Sequence, residues 1–256
     1  MKKLLLGLLV ASTVLNSCRN DNYYNQNLIP NVDQATQNSY DDTAIKDYLD
    51  THYFDDRGKI KTFDDTNKPD DKNIKLSTLA KTLPSGVIYV IRPNAQPTDG
   101  ATDVKDKNVL QIMQVGFATR AIKGTDDKII FTGSLPFFNT VDQGGVPAND
   151  PLWFYAKKAL IDSEQKRLDA ATANNTVKVT NSYFEIEGFQ EAIKLFKSFT
   201  KQVTDNYNLQ GLIIVPSRAA FAKDPHYNYV GASLNDYSFF FNFQLYGSRE
   251  RMPSEE

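Results

Sequence analysis

Tyr237-Ser238-Phe239-Phe240-Phe241-Asn242-Phe243-Gln244-Leu245-Tyr246, near the end of the chain, decides the fold. Read in steps of two, it separates into Phe239, Phe241, Phe243 and Leu245 on one side and Phe240, Asn242, Gln244 and Tyr246 on the other. Successive side chains of a strand point to opposite faces, so the first set faces a core or an aromatic pocket. Just upstream, residues 209–215 form an apolar strand that stops at Pro216. Before that, Phe189, Ala192, Ile193 and Phe196 fall at i, i+3, i+4 and i+7, the spacing of a helix with one buried face. Further back, residues 87–91 are a β-branched and aromatic run closed by Pro93, and residues 108–119 and 128–132 read as two more strands. The 16 Phe and 13 Tyr against one Trp favour the same β-rich reading, because these rings suit a pleated, half-buried surface.

The intervening segments carry different signals. Residues 133–150 contain Gly133, Pro136, Gly144, Gly145 and Pro147 and read as loop. Residues 151–173 are poor in Gly and rich in Ala, Lys and Leu, which suits a helix. Strand signals resume at Val177, so residues 133–173 read as an insertion. Towards the start, Asp41 and Asp42 are placed to cap a helix over residues 42–53, with Ile45, Tyr48 and Leu49 on one face. Residues 55–78, with Asp55-Asp56, Asp64-Asp65 and Asp70-Asp71, read as a polar linker. Residues 248–256 form a tail, and no internal repeat is visible.

The first residues describe export. Lys2 and Lys3 precede an apolar run from Leu4 to Leu15, then Asn16-Ser17-Cys18. The run is shorter than the roughly 20 apolar residues a membrane-spanning helix needs. A charged start, short apolar core and small-residue end describe a cleavable signal peptide over residues 1–17. Its end resembles a lipobox, which makes Cys18 the lipidation site and the membrane a partner through the lipid. An ordinary signal peptide with an incidental cysteine is the alternative. Against it, Cys18 is the only cysteine, so an exported chain has no disulfide use for it. Arg19 is not the aspartate associated with inner-membrane retention, which favours the outer membrane of a bacterial envelope. Residues 18–40, rich in Asn, Gln and Asp, read as a flexible stalk. The net charge of -2 gives no reason to expect nucleic acid as a partner.

Three blocks stand in order along the second half: Phe184-Glu185-Ile186-Glu187-Gly188-Phe189-Gln190-Glu191-Ala192, then Ile213-Ile214-Val215-Pro216-Ser217-Arg218-Ala219-Ala220-Phe221, then Phe239-Phe240-Phe241-Asn242-Phe243-Gln244-Leu245. Together they resemble the C-terminal half of FKBP-type peptidyl-prolyl cis-trans isomerases. That family shows a Val-Ile-x-Gly-Trp block opening a helix, an Ile-Pro-x-x-x-Ala-Tyr block and a final Leu-Val-Phe-x-Val-x-Leu strand. Ser85-Gly86-Val87-Ile88-Tyr89 is similar to the family's opening Gly-x-x-Tyr strand. A helix ahead of the domain is similar to the exported lipoprotein members found in Bacteroidota. The likeness spans residues 84–247. It implies an α+β fold, an antiparallel sheet wrapped on a helix, here with an N-terminal helical extension over residues 41–83 and the helical insertion.

The activity the resemblance implies is rotation about X-Pro bonds in envelope proteins. The planar amide faces a barrier of about 18–20 kcal/mol. Twisting reduces charge separation along the bond, so a dry aromatic pocket disfavours the planar state relative to the twisted one. Each ~1.4 kcal/mol of difference is tenfold in rate. No cofactor, metal or covalent nucleophile is called for. By position, Ile186 matches the isoleucine whose backbone N–H binds the substrate carbonyl, and Phe241 matches a pocket-lining phenylalanine of the last strand. Phe189 stands where a tryptophan floors the pocket, and Phe221 where a tyrosine donates its hydroxyl. Phe138-Asn139-Thr140 corresponds to the family's Phe-Asp-Ser, so Asn139 replaces a carboxylate. Phe138, Phe184 and Phe239 are further rings expected to touch substrate.

These replacements bear on turnover. A lost hydroxyl hydrogen bond costs roughly 0.5–1.5 kcal/mol, and one involving a charge about 1.5–3 kcal/mol. Two readings therefore stand. One is an isomerase or folding helper acting on proline-containing segments of exported proteins, with a macrolide such as FK506 as a possible ligand. The other is a binding module at the membrane surface that kept the fold and lost the chemistry. Every ring named here also has a plainer use as core packing. His52 and His226 stand apart and suggest no zinc site.

Overall fold

The computed structural model describes residues 31–256 except Asp65, Asn67, Gln143 and Gly144. The signal peptide, Cys18 and the first part of the expected stalk lie outside the described residues. The elements run α1 (Gln34–Thr51), β1 (His52–Phe54), β2 (Ile60–Thr62), α2 (Leu76–Leu79), β3 (Ala80–Thr82), β4 (Ile88–Ile91), β5 (Thr102–Asp103) and β6 (Val109–Lys123). Then come β7 (Ile129–Phe131), β8 (Leu135–Asn139), β9 (Ala148–Asn149), α3 (Lys158–Ala171), α4 (Glu187–Ile193), β10 (Lys197–Ser198), β11 (Gly211–Val215) and β12 (Tyr237–Arg249). The fold is α+β. Its main sheet is antiparallel, in the order β3-β4-β11-β12-β6-β7. β8 and β9 pair with β6 along the edge away from β12.

β12 is the centre of the molecule, as its alternation requires. Its inward set, Phe239, Phe241, Phe243 and Leu245, is fully buried in one cluster with Ile186, Phe189, Ala192, Ile193 and Phe196. Each such side chain contributes roughly 1.5–3 kcal/mol relative to exposure. α4 has 7 residues, too few to persist alone, so this packing is what holds it. Gly188 allows the close approach: a Cβ there would stand 2.6 Å from Val215 Cγ1 and 2.8 Å from the Ala219 carbonyl oxygen. The opposite face of the sheet is also buried. Ile88, Val90, Leu212, Ile214 and Phe240 pack against Ile45 and Leu49 of α1 and Leu76 of α2.

Several elements depart from the sequence reading. α1 begins eight residues ahead of the expected residue 42, capped by Asp33, whose side chain accepts the Thr36 N–H. Its first turns carry few apolar residues, so hydrophobic spacing could not mark them. Asp41, expected as a cap, lies inside the helix and is buried. The expected helix gives way at His52 to β1, and the expected linker holds its hairpin partner β2 and the start of α2, where Leu76 is fully buried. Residues 133–150 are not all loop, because β8 and β9 find partners only on the long edge of β6. Helix α3 starts at Lys158, leaving residues 151–157 outside it. No strand forms at Val177; a 3-10 turn at Asn181–Tyr183 follows instead. β12 continues to Arg249, into the expected tail, past a register shift between Leu245 and Gly247.

Candidate functional site

The start of α4 and the inner face of β12 bring most of the expected residues together. Ile186 precedes the helix as its N-cap, and Phe189 follows in the first turn, its N–H donating to the Ile186 carbonyl at 2.9 Å. The Phe189 ring lies 4.6 Å from that of Phe241, and Phe239 stacks parallel to Phe241 at 6.3 Å. Phe221 enters from the turn after β11, edge-on to Phe239 at 5.7 Å. These five residues, from three separated stretches, share one cluster.

Three expected residues stand elsewhere. Phe184 is fully buried but belongs to a neighbouring cluster with Ala156, Val179 and Tyr183. Asn139 takes part in a turn, its Nδ2 donating to Asp142 Oδ2 at 3.0 Å and its Oδ1 accepting the Asp142 N–H at 2.9 Å. Phe138 is 36% exposed at the rim, while Phe137, one step away on the inward face of β8, is 6% exposed and points into the cluster. Expecting loop there hid the alternation that distinguishes the two rings.

The structure adds three rings that the sequence reading did not single out. Phe137 sits edge-on to Phe239 at 5.1 Å, to Tyr229 at 5.2 Å and to Trp153 at 5.5 Å. Trp153 also packs on Phe138 at 4.2 Å. Trp153 is 2% exposed, and Ile186, Phe189, Phe239 and Phe241 are completely buried. The hollow expected above Phe189 is thus filled by the protein's own side chains. Being the sole tryptophan was the one signal that could have drawn attention to Trp153.

The backbone tells the same story. The Ile186 N–H, assigned by resemblance to a substrate carbonyl, donates to the Trp153 carbonyl at 2.8 Å. Beside it, Gln190 Nε2 donates to the Phe154 carbonyl at 2.6 Å, and Glu185 Oε1 accepts the Ala156 N–H at 2.7 Å. Beside the cluster, burial disfavours the charged forms of two side chains. Burial lowers the pKa of His226, which stacks on Phe221 at 4.6 Å, and its Nε2 accepts the Leu234 N–H. Burial raises that of Tyr229, whose hydroxyl donates to the Phe184 carbonyl at 2.6 Å. A cavity of about 380 Å³ borders the site through His226, between residues 225–235 and Leu168 of α3. Among the described residues, no three His, Cys, Asp or Glu side chains are grouped to hold a metal ion.

Comparison of the sequence with protein-family models and with curated proteins finds no match. Among the described residues, no helix is long and apolar enough to cross a membrane.

Proposed function

We propose that the chain is a lipoprotein of the bacterial envelope carrying an FKBP-like module, which binds proline-containing segments of exported proteins and isomerises them slowly at most. The observation that carries this reading is the convergence of Ile186, Phe189, Phe221, Phe239 and Phe241 on one aromatic cluster. The resemblance needs those five positions to meet, although they span three blocks of sequence. An antiparallel sheet packed on a core-facing helix, with strands ordered β4-β11-β12-β6, further supports the FKBP-like assignment. The lipid on Cys18 and the outer-membrane location follow from the leader sequence. Labelling with a fatty acid that Cys18→Ser abolishes is the expected result.

One contact limits both binding and turnover: the Ile186 N–H already holds the Trp153 carbonyl. A proline segment has to displace that contact, so its apparent affinity falls in proportion to the open fraction. Phe221 offers no hydroxyl, and Asn139 is engaged with Asp142. Loss of one hydroxyl bond and one charged bond together amounts to about 2–4.5 kcal/mol, or roughly one and a half to three decades in rate.

A proline-limited refolding assay and a titration with Ala-Leu-Pro-Phe test the proposal. The expected result is acceleration below about tenfold at micromolar protein, with peptide-induced NMR shifts centred on Ile186 and Trp153. Large acceleration would overturn slow turnover. Shifts confined to other parts of the molecule would remove the site.

A further inference from the structure

Residues 150–157 link the end of β9 to α3 and pass directly over the start of α4. The segment turns at its centre, where the Phe154 and Tyr155 N–H groups both donate to the Pro151 carbonyl, at 3.0 and 3.1 Å, and two donors from the start of α4 hold its next carbonyls. The Ile186 N–H takes the Trp153 carbonyl at 2.8 Å, and Gln190 Nε2 takes that of Phe154 at 2.6 Å. The Trp153 ring packs against both Phe137, at 5.5 Å, and Phe138, at 4.2 Å.

Two features make this seat imperfect. The Trp153 indole N–H is buried and meets no acceptor among the described residues, so seating the ring leaves a polar group unsatisfied. Asp150, where the segment begins, has φ 52°, in the left-handed region that non-glycine residues disfavour.

What offsets them lies at the edge of the segment. Arg251, two residues beyond β12, has a side chain only 2% exposed. Its two Nη atoms pair with the two carboxylate oxygens of Asp150, one of them at 2.8 Å. The same guanidinium lies 3.7 Å over the Tyr155 ring, and its Nε donates to the Lys107 carbonyl at 3.1 Å. Lys157 Nζ adds a second cation 3.7 Å from Asp150. A bidentate, nearly buried pair of this kind is directional and strong compared with an exposed one.

We infer that residues 150–157 are an internal ligand of the aromatic site, seated in the place of an external prolyl segment and latched there by Arg251 on Asp150. The inference rests on the FKBP-like reading of Ile186. Release of the latch lets Trp153 leave, frees the Ile186 N–H and opens a space bounded by Phe137 and Phe138. The vacated volume, that of an indole, exceeds a pyrrolidine ring. The latch also couples the site to the C-terminal tail, because Arg251 belongs to the tail and Asp150 to the segment, here called the strap.

Trp153 is the only tryptophan in the chain, so its emission reports on this segment alone. The experiment compares the full chain with Arg251→Gln and with Asp150→Asn. The second variant keeps a residue that tolerates the left-handed backbone and removes only the charge. Three readouts are taken: tryptophan emission, amide hydrogen exchange at Ile186 with Ile213 as the core reference, and binding of FK506 and Ala-Leu-Pro-Phe. Both variants are expected to shift emission to the red and speed Ile186 exchange at least tenfold, with Ile213 unchanged. Both ligands are expected to bind at least tenfold more tightly. Emission and Ile186 exchange that match the parent protein in Asp150→Asn would overturn the latch. Tight binding already present in the parent, and unaltered by either variant, would overturn it too while leaving the FKBP-like reading in place. Release of Trp153 without any gain in binding would keep the latch and overturn both the internal-ligand role and the FKBP-like reading of the hollow.

Discussion

One buried carboxylate ties the N-terminal helix to the sheet. Asp41 is fully buried, accepting Gln37 Nε2 on one oxygen and the Ser217 N–H on the other, both at 2.9 Å. Burial raises its pKa above the ordinary 3.8, opposed by the hydrogen bonds from Ser217 and Gln37. The folded protein therefore holds this proton more tightly than the unfolded chain does. The associated stability is complete below the ordinary value and is lost as pH rises through the folded value. We expect Asp41→Asn to remove that slope at the cost of one hydrogen bond, because Gln37 Nε2, which donates to Asp41 Oδ1 at 2.9 Å and to the Ala121 carbonyl at 3.0 Å, then meets an amide N–H. Asp41→Ala should instead cost about 1–3 kcal/mol, because the Ser217 N–H is left unmet. Urea midpoints at acid and neutral pH check both. This residue also shows where local reading stops. An aspartate ahead of an apolar face is a reasonable cap, and only the distant Ser217 makes it a buried anchor.

At the level of elements, α4 depends on contact more than on propensity. Its sequence contains Gly188, unfavourable in a helix interior, yet the glycine is what lets the helix reach β11. A Cβ at this position would meet Val215, Val87 and the Ala219 carbonyl at 2.6–2.8 Å. We expect Gly188→Ala to destabilise the protein by about 1–3 kcal/mol despite its better helix propensity. The neighbouring exposed Glu187→Ala should change little. A shift in denaturation midpoint for the first and not the second is the measurement. A stabilised Gly188→Ala would show that α4 is free to move outward. Elements with a clear period were legible: β4, β11, β12 and α4 lie where the spacing of Phe, Ile and Leu put them. β8 and β9 were not, since short strands among Gly and Pro exist only because β6 offers them an edge. Residues 151–157 read as helix by composition. They stay out of it because Trp153 and Phe154 are drawn into the core.

For the molecule as a whole, the N-terminal extension is part of the fold. Ile88, Val90, Leu212, Ile214 and Phe240 form an apolar outer face that α1 and α2 cover. Five such side chains at roughly 1.5–3 kcal/mol each sum to about 10 kcal/mol, comparable with the entire stability of an ordinary domain. We expect a chain beginning at residue 55 to lose its near-ultraviolet circular dichroism and aggregate, while residues 31–256 unfold in one sharp transition. A truncated chain that melts cooperatively at the parental temperature would show the cover to be dispensable. The full burial of β11 hinted at this arrangement in the sequence: its run is apolar at every position, as a strand covered on both faces must be.

The amino-acid sequence alone determined the features that repeat over a few residues: the two-residue alternation of β12, the helical spacing around Phe189, the short apolar run ahead of Cys18. Such features are written locally, because a strand or a helix turns its side chains with a constant period. The occupant of the aromatic cluster is another matter. Trp153 and Ile186 are far apart in the chain, and no period links them. Their hydrogen bond exists because the sheet, α4 and the strap close on a single volume that must be filled without voids. Only the tertiary structure could choose Trp153 to fill it.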